Sequence, residues 1–313
     1  MTKSLIFPGQ GSQYSNMGKY LFDNFKVAKD VFEEVNSALN FDLTKIIFSE
    51  DTKNLNMTEN TQPAIMAVSV ATFKTLEKEK DIKISDFKYV AGHSLGEYSA
   101  LVASNCISIH DASKILKKRG QAMQTAVKVG DGAMAAILNV EYDEIKKILE
   151  ELKYETVEIS NDNCPGQCVV SGKTNEVDDF AKKLKSDYKK KSIMLPVSAP
   201  FHCELMKPAA EELSHFIESI NFNVVSIPII SNVSVRPESN PNQIKKLLID
   251  CVFKTVRWRE IINFMLNDGI IQYVECGPGK ALTNMLKRFN SDNITTLKTD
   301  TLEDIKNYEW FKR

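Results

Sequence analysis

No stretch of this chain approaches the ~18 consecutive apolar residues that a membrane-crossing helix needs. Met1 to Gln13 also lacks the basic-then-apolar order of a secretory signal. A membrane partner is therefore not expected, and the chain reads as cytoplasmic. An excess of one charge is missing too: 40 Lys and Arg stand against 41 Asp and Glu, a formal net charge of −1. Nothing in that balance draws the chain to nucleic acid. The six cysteines (Cys106, Cys164, Cys168, Cys203, Cys251, Cys276) include no C-x-x-C pair, and there are only four histidines. A metal site is not expected, and the cysteines read as free thiols in a reducing compartment. Internal repeats and low-complexity tracts are absent, and the lysine clusters at 117–118 and 189–191 read as solvated surface.

What is present is ample apolar material. With 313 residues, 43% hydrophobic and 26% charged, the chain can bury a large core as one domain with an insertion, or as two. Ser4 to Phe7 is a short β-type run stopped by Pro8-Gly9, and Gly9 to Gln13 follows as a polar loop. Phe87 to Ala91 reads as a buried strand and Leu95 to Ser104 as a small, apolar helix, with a tight turn between them. Ser108 followed by Asp111 marks a capped helix start, and Ala112, Ile115, Leu116, Ala122, Met123 and Ala126 form its apolar stripe. From Gly132 to Val197 the pattern changes to strand (133–140), helix (143–152), strand (157–161), strand (168–171), helix (177–188) and strand (192–197). That order is a split β-α-β-β-α-β unit. A helix at 204–220, a strand at 227–231, helices near Gln243 and Arg259 and a strand at 271–276 then resume the larger pattern. The expected architecture is α/β: a large α/β-hydrolase-like domain with a parallel sheet core over 1–128 and 198–313, with a ferredoxin-like α+β subdomain inserted over 129–197.

Gly92-His-Ser-Leu-Gly96 matches G-x-S-x-G between a predicted strand and a predicted helix, the context in which the pattern means a nucleophile elbow. Glycines permit a turn too sharp for bulkier neighbours and leave Ser94 projecting into a cleft. The amide of Leu95, at a helix N-terminus, then faces the space where an oxyanion would form. Tight strand–helix packing alone would also favour small residues, but would not require serine at 94. A hydroxyl nucleophile needs a base. His93 adjoins Ser94, so its side chain should diverge from it; His110 lies at a helix start and His215 among polar helix residues. His202 sits in a loop stiffened by Pro196 and Pro200, after a strand end and before a helix, and is the best of the four. Arg119 falls on the apolar stripe of its helix while Lys114, Lys117 and Lys118 face outward. An inward guanidinium needs an anionic partner or several acceptors. An internal salt bridge and a substrate carboxylate held by the planar fork are both open on this pattern.

Phe7-Pro-Gly-Gln-Gly-Ser-Gln13, Asn60-Thr-Gln-Pro-Ala64, Gly92-His-Ser-Leu-Gly-Glu-Tyr98, Arg119-Gly-Gln-Ala-Met123, Cys164-Pro-Gly-Gln167, Pro200-Phe-His202 and Glu275-Cys-Gly-Pro-Gly279 occur in that order. Together they resemble the malonyl-CoA:acyl carrier protein transacylases, over almost the whole chain. Acyltransferase domains of polyketide and fatty acid synthases share most of these motifs, and the chain length favours a free-standing enzyme. The resemblance implies Ser94 as nucleophile and His202 as base, an oxyanion hole of the Gln10 and Leu95 amides, and Arg119 on the malonyl carboxylate. It further implies Gln62 lining the pocket and Asn161, Asn163 and Gln167 near the pantetheine arm. The family orients its histidine through a main-chain carbonyl, often that of a glutamine seven residues before a tryptophan such as Trp258; Cys251 stands there. Phe201 before the histidine resembles malonyl-selective members.

The implied reaction is ping-pong transfer of malonyl from malonyl-CoA through a Ser94 ester to the phosphopantetheine thiol of acyl carrier protein, in support of fatty acid biosynthesis. No metal or redox cofactor is expected, and the enzyme is expected to be a monomer. Two other readings share the same residues: a serine hydrolase or thioesterase, and a non-catalytic acyl-carrier binding module.

Overall fold

The structure, a computed structural model, describes residues 2–197, 199–289 and 293–306. Strand β1 (Lys3–Phe7) is buried from Ser4 onward, and four helices follow it: α1 (Lys19–Asn24), α2 (Lys26–Leu39), α3 (Leu43–Ile47) and α4 (Thr58–Lys80). Helix α4 is buried almost without a break from Thr58 to Leu76. Its apolar residues recur on every side, so no single stripe marks it in the sequence. Next come β2 (Tyr89–Gly92), α5 (Gly96–Ala103) and α6 (Ile109–Thr125). The expected cap of α6 is present: the Asp111 amide donates to Ser108 Oγ at 3.0 Å.

The inserted pattern follows as β3 (Gly132–Leu138), α7 (Tyr142–Leu152), β4 (Glu158–Cys164), β5 (Gln167–Lys173), α8 (Thr174–Ser186) and β6 (Lys191–Met194). These strands form one antiparallel sheet in the order β4-β5-β3-β6, the order of a split β-α-β-β-α-β unit. The chain then runs through α9 (Lys207–Ser219), β7 (Ile229–Ile230), β8 (Pro237–Glu238), α10 (Pro241–Phe253), α11 (Trp258–Asn267), β9 (Gln272–Glu275), α12 (Ala281–Leu286), β10 (Thr295–Lys298) and α13 (Leu302–Lys306). The second sheet has the order β10-β9-β1-β2-β7-β8, parallel throughout except for the β7–β8 pair. Its central strands are covered on both faces, which is why β1 and β2 read as apolar runs rather than as alternation.

Several element ends differ from expectation. The strand expected at 227–231 pairs only at Ile229 and Ile230, because the chain turns at Asn232 into β8. The strand expected to reach Val197 ends at Met194, and the helix expected from Glu204 begins as a 3-10 turn before α9 starts at Lys207, with Pro208 in its first turn. Proline at the first turn of a helix suits the missing amide hydrogen.

Two features of this frame place the site. β1 and β2 are parallel neighbours with Phe7 opposite Gly92, so the Pro8-Gly9-Gln10 loop and the elbow leave the same carboxyl edge side by side. Crevices of open α/β sheets form at that edge. The inserted sheet is also stitched, through β4, to the connection between α10 and α11. Val256 N donates to Ser160 O at 2.9 Å, Asp162 N to Val256 O at 2.9 Å, and Thr255 Oγ1 to Ile159 O at 2.7 Å. Beside this seam the buried carboxylate of Asp162 takes Arg259 Nε at 2.9 Å and Nη2 at 2.8 Å.

Candidate active site

The turn after β2 is made possible by what Gly92 and Gly96 lack. A Cβ on Gly92 would lie 1.9 Å from the carbonyl carbon of Gly96, and one on Gly96 would lie 2.3 Å from the carbonyl oxygen of Phe7. The chain therefore reverses against itself and against β1, and Ser94 takes the left-handed φ of +52°. Such a conformation costs a residue with a side chain about 1 kcal/mol. The loop amide of Gln10 and the amide of Leu95, the residue preceding α5, have no acceptor among the described residues, and both residues line the cleft. Two unpaired amide hydrogens beside a serine hydroxyl are the makings of an oxyanion hole.

Ser94 is only 8% exposed, and its Oγ stands 2.8 Å from His202 Nε2. On the far side of the ring, Nδ1 is 2.6 Å from the carbonyl oxygen of Cys251. A carbonyl can only accept, so Nδ1 carries the hydrogen and Nε2 is left with its lone pair toward Ser94. Burial pushes the His202 imidazole down to about 3, and the charge of Arg119 acts in the same direction. The ring is thus neutral near neutral pH and free to accept a proton. The Cys251 contact is made by the main chain, so the departure from glutamine leaves it intact. Cys251→Ser is expected to keep the transfer rate within ~threefold of wild type, since it alters only the buried thiol; a loss of orders of magnitude in steady-state assays would assign the side chain a part.

Arg119 is 2% exposed, and its Nη1 donates to Gln62 Oε1 at 2.8 Å and its Nη2 to Ser94 Oγ at 3.1 Å. The internal salt bridge left open by the sequence is absent: among the described residues no carboxylate lies within ion-pair distance of Arg119, and Nε has no partner. The ring of Tyr98 lies 6.0 Å from the guanidinium carbon. A buried cation held by neutral groups alone is costly, and it faces the nucleophile. The site is built to receive an anion beside Ser94 Oγ.

These groups open into a cleft of about 240 Å³ between the two sheets. Gln62 lines it, as the resemblance implies, and so do Asn161, Asn163, Gln167 and Phe201. Met134, Ala136, Val169, Leu195 and Val197 form an apolar wall from the inserted unit, and Ala281, Leu282 and Met285 of α12 close the other side. The α12 contribution was invisible in the sequence, but its anchor was not: Glu275, of the Glu-Cys-Gly-Pro-Gly motif, takes the amides of Leu282 at 3.0 Å and Thr283 at 2.7 Å. His93 diverges from Ser94 as expected: its ring is half-buried in the cleft wall, with Nε2 2.9 Å from Asn163 Oδ1 and its edge toward Trp258. Its divergence from Ser94 aims it at the inserted sheet instead. Cys251, expected to act through its backbone, does stand against His202, whereas His110 lies away from the cleft, half-exposed beside Asp111.

A family model for the acyl transferase domain matches residues 4–304. The malonyl CoA-acyl carrier protein transacylase of Bacillus subtilis (strain 168) is 40% identical over 308 residues, which are 98% of this chain and 95% of that protein. The crystal structure of an acyl-carrier-protein-S-malonyltransferase from Bartonella henselae matches with a TM-score of 0.95 and 40% identity, covering 100% of each chain. A malonyl-transacylase solved in complex with its type II PKS acyl-carrier protein matches with a TM-score of 0.93 and 34% identity over 98% of each chain. These likenesses run from end to end, and the chain belongs to the acyl transferase family, among the malonyl CoA-acyl carrier protein transacylases.

Proposed function

We propose that this protein transfers malonyl from coenzyme A to the phosphopantetheine thiol of acyl carrier protein, with Ser94 as the covalent carrier. The observation that carries the reading is the double contact of Ser94 Oγ, 2.8 Å from His202 Nε2 and 3.1 Å from Arg119 Nη2. Malonyl has one methylene between its thioester carbonyl and its carboxylate. A substrate reaching its carbonyl to Ser94 therefore brings its carboxylate to a cation placed directly beside that oxygen. Longer dicarboxylates would overshoot, and acetyl would leave the buried guanidinium unpaired.

Ser94 Oγ attacks the thioester carbonyl as its proton passes to His202 Nε2, and the oxyanion gathers on the Gln10 and Leu95 amides. Collapse expels the coenzyme A thiolate, which takes the proton from His202 and leaves malonyl-serine. The carrier thiol then gives its proton to His202 and attacks the ester, and collapse returns the hydrogen to Ser94. Every bond and proton is accounted for by these residues and the two thiols, so the reading includes no metal or redox cofactor. Asn161, Asn163 and Gln167 would bind the pantetheine arm along the cleft. One chain carries the whole set, which suits a monomer, and substrates of this class suit the cytoplasm.

The test is intact mass after brief mixing with malonyl-CoA, then with holo carrier protein. A stoichiometric malonyl adduct that disappears as malonyl-carrier forms is expected. Release of free malonate instead would make the protein a hydrolase, and no adduct at all would leave a binding module.

A further inference from the structure

The strained elbow has to be held as well as permitted, and Gly92 and Gly96 only permit it. Behind the elbow, away from the cleft, Asn232 is fully buried two residues beyond β7. Its side chain grips the backbone on both sides of His93: Nδ2 donates to Gly92 O at 2.6 Å and Oδ1 accepts from Ser94 N at 3.0 Å. Its own amide donates to Glu97 Oε1 at 2.9 Å, in the first turn of α5. Its carbonyl accepts from Arg257 N at 3.1 Å, one residue beyond the seam at Val256. Glu97 is 2% exposed and Asn232 0%, so neither has water to replace a lost partner.

Resting on the malonyl-transfer reading above, we infer that Asn232 and Glu97 are positioning residues for the acyl transfer: Asn232 clamps the backbone of the nucleophile, and Glu97 locks Asn232 to the start of α5. The clamp fixes two things at once. Ser94 Oγ is kept within reach of His202, and Leu95 N, on the next residue, is kept aimed with it. The amide suits this because one arm donates while the other accepts, which an ionised carboxylate cannot do. Aspartate at 232 would set an oxygen against the Gly92 carbonyl oxygen. Glu97 needs only an acceptor, so glutamine at 97 would still serve.

The experiment measures the rate of malonyl-enzyme formation against malonyl-CoA concentration, by rapid quench and intact mass, for wild type, Asn232→Asp, Glu97→Leu and Glu97→Gln. Circular dichroism and thermal melts establish that each is folded. Asn232→Asp and Glu97→Leu are expected to lower the maximal acylation rate by ~100-fold with the half-saturating concentration within ~threefold, as misplacement of a nucleophile and one oxyanion donor does. Glu97→Gln is expected to recover most of what Glu97→Leu loses. A wild-type maximal rate in a folded Asn232→Asp or Glu97→Leu would overturn the proposal. So would equal losses in the two Glu97 variants, or a failure of both Asn232→Asp and Glu97→Leu to fold, which would leave the pair a role in stability alone. A wild type that takes no malonyl overturns the transferase reading; variants that match a wild type that does overturn only the clamp.

Discussion

Ser94→Ala is expected to fold as the wild type does and to take up no malonyl group from malonyl-CoA, with transfer to the carrier falling by roughly 10⁴-fold or more. The fold should be indifferent because the elbow is held through the backbone: Asn232 contacts the Ser94 amide, and among the described residues the hydroxyl hydrogen-bonds only with His202 and Arg119. Alanine also keeps the same Cβ at the same φ of +52°, so the backbone strain is unchanged. The hydroxyl is what forms the ester, and no other hydroxyl or thiol is placed against His202 Nε2 among the described residues. Intact mass after mixing, with a thermal melt as control, reads both halves of the expectation. A malonyl adduct persisting on Ser94→Ala would put the nucleophile elsewhere.

Arg119→Ala is expected to lower kcat/KM for malonyl-CoA by ~10³-fold and any acetyl-CoA transfer by less than ~tenfold. Malonyl loses a charge-assisted, fork-shaped, buried partner, whereas acetyl never had that bond. Some common loss belongs in both numbers, because Arg119 also donates to Ser94 Oγ and to Gln62. The ratio of the two kcat/KM values is therefore the measurement, taken by competition between the two thioesters for one enzyme. Equal losses on both would confine Arg119 to ordering Ser94 and Gln62, and selectivity would have to come from the shape of the cleft. Arginine is the residue for this position because its charge survives burial, whereas an ammonium readily gives up its proton there.

Much of this site was legible because its parts carry local, steric signatures. Gly-x-Ser-x-Gly is demanded by the 1.9 Å and 2.3 Å clashes that any Cβ would meet, so the pattern survives as text. Arg119 showed itself as a charge on an apolar stripe, but the stripe could not say whether its partner was a protein carboxylate or a ligand. That question turns on which side chains approach from α4 and β2, residues far away in the chain. Asn232 left no trace at all: a single asparagine after a short strand resembles any turn residue, and its three contacts to Gly92, Ser94 and Glu97 span more than 130 positions. The partner of His93 was hidden for the same reason, since Asn163 belongs to the inserted sheet.

Period and composition alone settled the two sheet-forming patterns, the capped start of α6, the elbow and the absence of a membrane-length apolar run, because each depends on residues within a few positions of one another. Helix α4 escaped because burial on all sides erases the amphipathic stripe that marks a helix. Tertiary structure decided the rest: the neutral, oriented state of His202 through the Cys251 carbonyl, the unpaired cation of Arg119, and the clamp behind Ser94. Each of these is a matter of hydrogen bonds and charges closing over distance, and only folding β1, β2, β7 and the inserted sheet onto one edge brings their partners within reach.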